Sequence, residues 1–422
     1  MDRVIFHCDL NSFYASVELL EHPELRDQPV AVCGDPEVRH GIILAKNEPA
    51  KAMGVRTAET IWQARRKCPD LTLLPAHHET YRLFSRRAGA IYGKYTDLVE
   101  PFGIDESWLD VTATLHLFGG DARALADRLR REMRETLGLT ISVGVSFNKV
   151  FAKLGSDYKK PDATTIFFRE DMPTRIWPMP VTDLLFVGRA SGRRLASRGI
   201  HTIGDLAQAP REEVIHLLGK TGAQLQDYAA GRDTSPVRPA GETPPPKSVG
   251  NGCTFRRDLV GEEEIRLGVR MLSERVAARL RRQEMKCTTV QVTLRKPSLQ
   301  TVSRQKKTTV PTNLAREIGD CALEILSETW SWEAPVRMIT ITGAGLLPED
   351  EAGEQFDLFA PQASQRREKQ EKLERAMDIV REKYGKKSIG FAGTQTPAAR
   401  QLFGSSIREE AEPQENQRGE DE

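Results

Sequence analysis

Three acidic residues in the sequence occupy positions from which their side chains could bind a divalent cation together. Asp105 and Glu106 are adjacent, close to an expected turn at Gly103, and Asp9 ends an apolar run that predicts a buried strand. Mg²⁺ prefers oxygen ligands and leaves room for substrate phosphates. Because neighbouring side chains on a strand point to opposite faces, Asp105 and Glu106 can share a site only if a turn or bulge redirects one of them. Taken alone, an acidic pair in a hairpin is more often solvated surface than a catalytic site.

The stretches around these acids follow the order of a split βαβ sheet with helices on one face. The predicted elements are a strand that ends at Asp9, a helix over 79–99, a hairpin over 99–111, a helix over 122–137 and a strand over 140–145. Residues 11–75 are then an insertion between the first strand and its helix.

Further along the chain the composition changes three times. Residues 181–225 carry two short helical pairs with glycines, which are either phosphate-binding hairpins or plain helical hairpins. Residues 233–246 contain five prolines and predict a linker. Residues 247–346 show a second split βαβ pattern and predict a separate domain. The inward stripe of its first helix is expected to be Ile265, Val269, Leu272, Val276 and Leu280.

Charge is unevenly distributed along the 422 residues, although the formal net charge is only +1. Residues 404–422 hold seven acidic and two basic side chains, so the rest of the chain is net positive. Residues 247–307 hold fifteen Lys or Arg and six Asp or Glu, which suits the phosphate backbone of a nucleic acid. A solvated helix face is the plainer explanation of such a run.

Composition also excludes several classes of protein. No eighteen apolar residues follow one another, which argues against a membrane-spanning helix. The six cysteines are scattered without Cys-x-x-Cys spacing, which argues against a zinc finger and a disulfide framework. We therefore expect a soluble, cytoplasmic protein of two to four domains with reduced and mostly buried thiols.

Four blocks of the sequence resemble, in order, the motifs of the Y-family DNA polymerases, and among these the bacterial DNA polymerase IV type. The blocks are CDLNSFYASVE at 8–18, GIDESWLDVT at 103–112, SVGVSFNKVFAK at 142–153 and DYKKP at 157–161. The resemblance covers roughly residues 1–346. Because four ordered blocks do not arise readily by coincidence, the acidic pair is expected to be catalytic.

The resemblance implies an α+β multidomain fold of the right-hand type. The palm would be a split βαβ sheet, the fingers small, the thumb helical with helix-hairpin-helix turns, and the DNA-binding little finger ferredoxin-like. The implied ranges are 1–10 and 76–165 for the palm, 11–75 for the fingers, 166–232 for the thumb, 233–246 for the linker, 247–346 for the little finger and 347–422 for a mostly disordered tail.

The resemblance also implies how the acidic residues act. Asp9, Asp105 and Glu106, with the backbone carbonyl of Leu10, would hold two Mg²⁺ ions, for which Mn²⁺ could substitute. The ions would activate a primer 3′-hydroxyl and neutralise the triphosphate of a dNTP.

Further residues would contact the nucleotide if the resemblance holds. Tyr14 would be the steric gate that occupies the space of a ribose 2′-hydroxyl, and Phe13 would stack beside it. The alternative is that both rings simply pack under the palm. Lys51 and Lys160 would bind the triphosphate, with Lys159 as a rival of Lys160.

The fingers depart from the family pattern. Many members read T-A-N-Y-x-A-R where this chain reads AKNEPAK at 45–51, so that Ala45, Glu48 and Lys51 replace threonine, tyrosine and arginine. A carboxylate beside a triphosphate is unfavourable unless it pairs with a cation such as Lys46 or Lys51. Altered nucleotide affinity or a shifted metal requirement is therefore expected.

The tail contains QFDLF at 355–359, which resembles the peptide by which bacterial polymerases bind the sliding clamp. Gln355, Leu358 and Phe359 would make that contact, unless the apolar residues fold back on their own domain. Residues 401–403 are a weaker second candidate. The tail also predicts one amphipathic helix, with an apolar stripe of Leu373, Met377, Val380 and Tyr384.

The leading hypothesis is a monomeric, error-prone DNA-directed DNA polymerase for translesion synthesis, without proofreading, which uses primer-template DNA and dNTPs. A nucleotide cyclase shares the palm and its paired metals but does not account for the thumb, the basic second domain or the clamp-like peptide. A catalytically weak DNA-binding accessory protein is the other alternative. The presence of Asp9, Asp105, Glu106 and Lys160 argues against it.

Overall fold

The computed structural model describes residues 2–34, 41–352, 361–385 and 388–391, and only the backbone of 361–364. The chain divides into two compact units, the first ending at Thr243 and the second beginning at Pro244. Within the described ranges no helix is both long and apolar enough to cross a membrane. All six cysteines are free and five are buried, as predicted. The predicted clamp-binding residues Gln355, Leu358 and Phe359, and the second candidate at 401–403, lie outside the described residues.

The first unit opens with a strand, β1 (Ile5–Leu10), and a helix, α1 (Phe13–Glu21). All six side chains of β1 are buried, as its apolar run predicts. The helix α1 buries Phe13, Ala15 and Val17 in the same core as β1. The segment 11–75, predicted as a single insertion, therefore begins with a helix that packs on the core of the first strand.

A small sheet with its own core forms the rest of that segment. Its elements are β2 (Val30–Cys33), β3 (Ile43–Lys46), α2 (Glu48–Ala52), α3 (Ile61–Lys67) and β4 (Thr72–Pro75). The strands are ordered β3-β2-β4. Helix α3 begins with a capping box, in which Thr60 and Gln63 bond each other's backbone N–H groups.

The main sheet of the first unit has five strands in the order β5-β6-β1-β7-β8. The elements that complete it are α4 (His78–Tyr92), β5 (Val99–Pro101), β6 (Glu106–Asp110), α5 (Ala122–Leu137), β7 (Ile141–Ser146), α6 (Lys149–Tyr158) and β8 (Thr164–Phe167). The predicted helix over 122–137 has the observed bounds. The helix predicted over 79–99 ends earlier, at Tyr92, where Gly93 follows and glycine is a poor helix former.

The two faces of the main sheet are covered by different helices. Because strand side chains alternate, Phe6 and Leu10 of β1 join the core formed with α4 and α5. On the other face Nδ1 of His7 lies 2.8 Å from Oγ of Ser156 on α6. The sequence pattern predicted α4 and α5 on one face, whereas the covering of the second face by α6 was not predicted.

Four short helices complete the first unit. They are α7 (Arg189–Ala196), α8 (Ile203–Gln208), α9 (Arg211–Leu218) and α10 (Lys220–Ala229), which form the two predicted helical pairs. The proline-rich segment that follows packs on the main sheet over its first half. Val237 is buried among Ile5, Trp108 and Ala152, and the N–H of Ala240 donates to the carbonyl of Asp97 at 2.9 Å. The predicted linker is therefore anchored as far as Ala240.

The second unit is a four-stranded antiparallel sheet with helices. Its elements are β9 (Ser248–Leu259), α11 (Glu262–Arg282), β10 (Met285–Arg295), β11 (Thr301–Thr312), α12 (Ala315–Thr329), β12 (Val336–Pro348) and α13 (Pro361–Tyr384). The strand order is β11-β10-β12-β9. The predicted inward stripe of α11 is fully buried in the core, and this confirms the βαβ pattern of the region.

The helix predicted in the tail exists as α13. Of its four predicted apolar residues, Met377 is buried, Val380 is half-buried, and Leu373 and Tyr384 are exposed. The inward face is instead charged: Glu374 and Asp378 both bind the buried guanidinium of Arg281 on α11. Helix α13 is therefore held on the second unit mainly by ion pairs, which leave no apolar signature in the sequence.

Candidate active site

The carboxylates of Asp9 and Glu106 lie next to each other on the main sheet. The two residues are directly opposite in the antiparallel pairing of β1 with β6, so their side chains project from the same face. That face is the one covered by α6. Asp105 lies in the turn before β6, where its carbonyl accepts a hydrogen bond of 3.0 Å from the N–H of Leu10. The turn interrupts the strand alternation that would otherwise separate Asp105 from Glu106.

Two lysines place their ammonium groups on these carboxylates. Nζ of Lys153 on α6 lies 2.8 Å from Oε1 of Glu106 and 3.5 Å from Oδ2 of Asp9. Nζ of Lys160 lies 2.7 Å from Oδ2 of Asp9. Both lysines also pair with Asp157, at 3.0 and 2.8 Å. The two lysines therefore balance the negative charge of Asp9 and Glu106, and the carboxylate of Asp157 orients both ammonium groups.

A buried histidine lies behind Glu106. Nε2 of His7 is 3.6 Å from Oε2 of Glu106, and burial lowers the pKa of His7, which favours the neutral ring. Sequence reasoning missed both His7 and Lys153. The strand period could have indicated His7, which lies two residues before Asp9, and the helical period could have indicated Lys153, four residues before Asp157.

Burial and mutual repulsion shift the acids of the site in different directions. Burial raises the pKa of Asp9 to about 7, beyond what Lys160 offsets. Burial and the neighbouring charge of Glu106 also raise the pKa of Asp105. Burial alone would raise the pKa of Glu106 as well, but its interactions with His7, Asp9 and Lys153 outweigh burial and lower that pKa. At neutral pH the site holds a proton most readily at Asp9.

The donor set fits a hard divalent cation, because carboxylate oxygens are the ligands that Mg²⁺ prefers. Among the described residues, no three His, Cys, Asp or Glu side chains already form a group that could hold a metal ion. In the structure, Lys153 bridges Asp9 and Glu106, and Lys160 pairs with Asp9. A cation at Asp9, Asp105 and Glu106 would take over the charge that the lysines now balance.

The predicted steric-gate residue stands beside the acids on α1. The ring of Tyr14 stacks on that of Tyr81 with centroids 4.0 Å apart and planes 12° apart, and Phe13 lies beside it at 5.7 Å. The hydroxyl of Tyr81 donates to the buried carboxylate of Glu18, which also contacts His77. Tyr81 was missed by sequence reasoning, and it fixes the plane of the Tyr14 ring.

Comparison with known proteins agrees with this architecture. Residues 8–157 match the model of the impB/mucB/samB family, and residues 246–358 match the model of that family's C-terminal domain. The chain is 47% identical to the DNA polymerase IV of Acetivibrio thermocellus over 389 residues, which are 92% of this chain and 96% of that protein. This chain belongs to the Y family of DNA polymerases, of the DNA polymerase IV type.

Further members of the family and a solved structure are also similar. DNA polymerase IV 1 of Bacillus subtilis is 37% identical over 411 residues, 97% of both proteins. A Y-family DNA polymerase chimera, Dbh-Dpo4(243-245)-Dbh, has a TM-score of 0.71 and 22% sequence identity, and the match covers 82% of this chain and 99% of the chimera. The chimera supports the fold alone.

Two of the residues at 45–51 that depart from the family pattern form a local ion pair. Nζ of Lys51 lies 3.4 Å from Oε1 of Glu48, one turn apart on α2. Nζ of Lys46 donates to Oγ1 of Thr57 at 3.1 Å, and burial together with the charge of Lys51 lowers the pKa of Lys46. Of the two predicted triphosphate ligands, the structure brings Lys160 to the carboxylates, whereas the recorded ion pair of Lys51 is with Glu48.

Proposed function

We propose that this protein is a DNA-directed DNA polymerase that performs translesion synthesis by adding dNMP to a primer 3′-hydroxyl. The observation that carries the proposal is the pairing of Asp9 with Glu106 on one face of the sheet, with Asp105 in the adjoining turn. The relatives named DNA polymerase IV, with their near-complete coverage, support it.

The acids of this chain would bind the metal ions that such a reaction needs. Asp9, Asp105, Glu106 and the carbonyl of Leu10 would hold divalent metal ions, with Mg²⁺ as the proposed metal and Mn²⁺ as a substitute. When bound, such ions lower the pKa of an attacking hydroxyl and neutralise phosphate charge.

The protein groups around the metal ligands bind and orient the reactants. Lys160, released from Asp9, reaches the triphosphate as a point charge. Tyr14, fixed by its stack on Tyr81, excludes a 2′-hydroxyl. His7 and Lys153 both contact the carboxylate of Glu106 and hold it in place.

Primer extension tests the proposal. Purified protein, a primed template, dNTPs and either Mg²⁺ or Mn²⁺ should give templated addition, and Asp105→Asn with Glu106→Gln should abolish it because the variant loses two anionic ligands. An exposed acid on the same unit, Asp70, provides the control variant Asp70→Asn, which should remain active. Tight primer-template binding without addition by the wild type in either metal would favour the accessory-protein alternative.

We also propose that residues 355–359 bind the sliding clamp and that the protein acts as a monomer. The support is the likeness of QFDLF to the clamp-binding peptide in an otherwise polar segment. Deletion of residues 355–359 should remove stimulation by the clamp and leave activity on a bare template unchanged. Equal loss of both activities would contradict this proposal.

A further inference from the structure

Two phenylalanines of the first unit are exposed although they are large and apolar. The exposed fraction is 40% for Phe102 and 58% for Phe186. Their ring centroids lie 6.3 Å apart with planes at 82°, and Phe102 rests on the buried ring of Trp108 at 4.5 Å. We call these two residues the aromatic pair.

The position of Phe186 is unfavourable for a phenylalanine in two ways. Its φ is 68°, in the left-handed region that disfavours residues with a Cβ, and most of its ring is in contact with water. Glycine or asparagine would adopt the same turn with less strain. Besides Phe102, the ring meets only the edge of a core through Tyr228, with ring centroids 6.3 Å apart. Because the turn itself does not require the ring, Phe186 is a candidate for binding a ligand.

The aromatic pair adjoins the candidate active site. Phe102 precedes Asp105 by three residues in the same hairpin, whose turn is closed by hydrogen bonds from the N–H groups of Phe102 and Gly103 to the carbonyl of Glu106, at 2.9 and 3.3 Å. Phe186 lies in the loop that precedes α7. The pair thus connects the acid-bearing turn with the first of the short helices.

Two exposed arginines follow Phe186 in the chain. Arg189 and Arg193 lie on α7, three and seven residues after Phe186, and no ion pair of either is recorded among the described residues. A segment that carries both an apolar ring and guanidinium groups suits a sugar-phosphate backbone, in which apolar sugar faces alternate with anionic phosphates.

We propose that the aromatic pair binds the deoxyribose rings of the primer strand next to its 3′ end. The primer strand is the one that fits, because its 3′-hydroxyl must reach the acids that the same hairpin carries. The bases of that end are paired and stacked, which leaves their sugars for the rings to contact. This inference rests on the proposed polymerase function and deepens it, since it assigns primer positioning to two residues outside the metal-binding set.

The variants Phe186→Gly and Phe102→Ala test the inference. Each should weaken binding of a duplex with a recessed primer end about five- to tenfold, because the variant loses the apolar surface that one ring buries against a sugar, while affinity for a blunt duplex of the same length changes little. The KM for the primer-template should rise and the KM for dNTP should stay near the wild-type value. Phe186→Gly should unfold at or above the wild-type melting temperature, because glycine relieves the left-handed backbone.

Phe168→Ala is the matched control. Phe168 is also a phenylalanine of the first unit and is 55% exposed, but it lies outside the aromatic pair. This variant should keep wild-type affinity for the recessed primer end. Should Phe186→Gly not fold, Phe186→Asn keeps the left-handed turn and removes the ring.

The outcomes separate this inference from the polymerase proposal. A wild-type protein that does not extend primers contradicts the proposed function. Wild-type extension together with unchanged primer affinity in both phenylalanine variants overturns the aromatic-pair inference alone. Equal weakening of blunt and recessed duplexes would also overturn it, because the rings would then not recognise the primer end.

Discussion

At the scale of single residues, Asp9 shows how a binding site is built at the expense of stability. Its carboxyl is buried, and Lys153 and Lys160 compensate it only partly, so burial raises its pKa to about 7. The free acid has an ordinary pKa near 4. The folded protein therefore binds more protons than the unfolded chain between about pH 4 and pH 7, and the contribution of Asp9 to stability falls as pH rises through that window.

Asp9→Asn should consequently stabilise the metal-free protein at pH 8 by about 1 to 2 kcal/mol while it abolishes primer extension. The gain should shrink towards pH 5, where Asp9 of the wild type is already protonated. Urea denaturation in EDTA at both pH values measures it, with Asp70→Asn as the control. A wild type that is the more stable protein at pH 8 would contradict the expected sign.

The second residue-scale prediction concerns Tyr14. Tyr14→Ala should raise incorporation of ribonucleotides relative to deoxyribonucleotides by at least about tenfold, because the ring that fills the space of the 2′-hydroxyl is removed. Single-nucleotide incorporation with matched rNTP and dNTP measures the ratio. Tyr384→Ala, which removes an exposed ring from α13, should leave the ratio unchanged. If Tyr14→Ala discriminates like the wild type, the ring has a packing role only.

At the scale of elements, the site depends on how closely α6 approaches the main sheet. A Cβ at Gly144 of β7 would lie 1.9 Å from the carbonyl of Ala152 and 2.3 Å from the backbone nitrogen of Ser156. These are backbone atoms of α6, so the clash cannot be relieved by a side-chain rotation. The approach brings Ser156 to His7 and Lys153 to Glu106.

Gly144→Ala should therefore lower the free energy of unfolding by at least about 2 kcal/mol and reduce primer extension with it. Gly89→Ala is the matched control, because a Cβ at Gly89 within α4 meets no atom within 4 Å. That change should stabilise the protein by up to about 1 kcal/mol, since alanine is the better helix former. Equal stability of the two variants would show that α6 tolerates displacement from the sheet.

At the scale of the whole molecule, two units with separate cores share one chain. The core that contains the inward stripe of α11 lies within the second unit, and the core around β1 lies within the first. Helix α13 is tied to the second unit by Arg281, which also donates to the carbonyl of Asn313 at 2.7 Å. The carboxylate of Glu374 accepts from the N–H of Ala315 at the start of α12. One buried ion pair therefore links α11, α12 and α13.

Arg281→Met should destabilise the second unit by about 3 to 5 kcal/mol, because it leaves the carboxylate of Glu374 buried without its cation. Calorimetry should show two unfolding transitions, of which the variant lowers one. Arg375→Met, which removes an exposed arginine from α13, should shift neither transition by more than about 1 kcal/mol. Adding Glu374→Met to Arg281→Met should restore most of the lost stability, because no unpaired charge then stays buried. A single transition that moves as a whole would contradict independent unfolding of the units.

The sequence by itself determined the elements and the chemical types at the site. The bounds of α5, the buried strand β1 and the inward stripe of α11 follow from local hydrophobic periods, which each segment carries within itself. The motif blocks predicted the family, and the comparisons confirmed it. The turn at Asp105 could be expected because two adjacent acids on a regular strand cannot share a face.

Only the tertiary structure decided which elements meet. Helix α6 covers the second face of the main sheet, and this packing brings Lys153 and His7 to Glu106. Neither residue stands out in its own segment of the sequence. Helix α13 binds through charges, as in the pair of Arg281 with Glu374, whose partners lie 93 positions apart. A periodic pattern records which side of an element is buried by apolar contact. It does not record the partner, and a face buried by ion pairs resembles a solvated one.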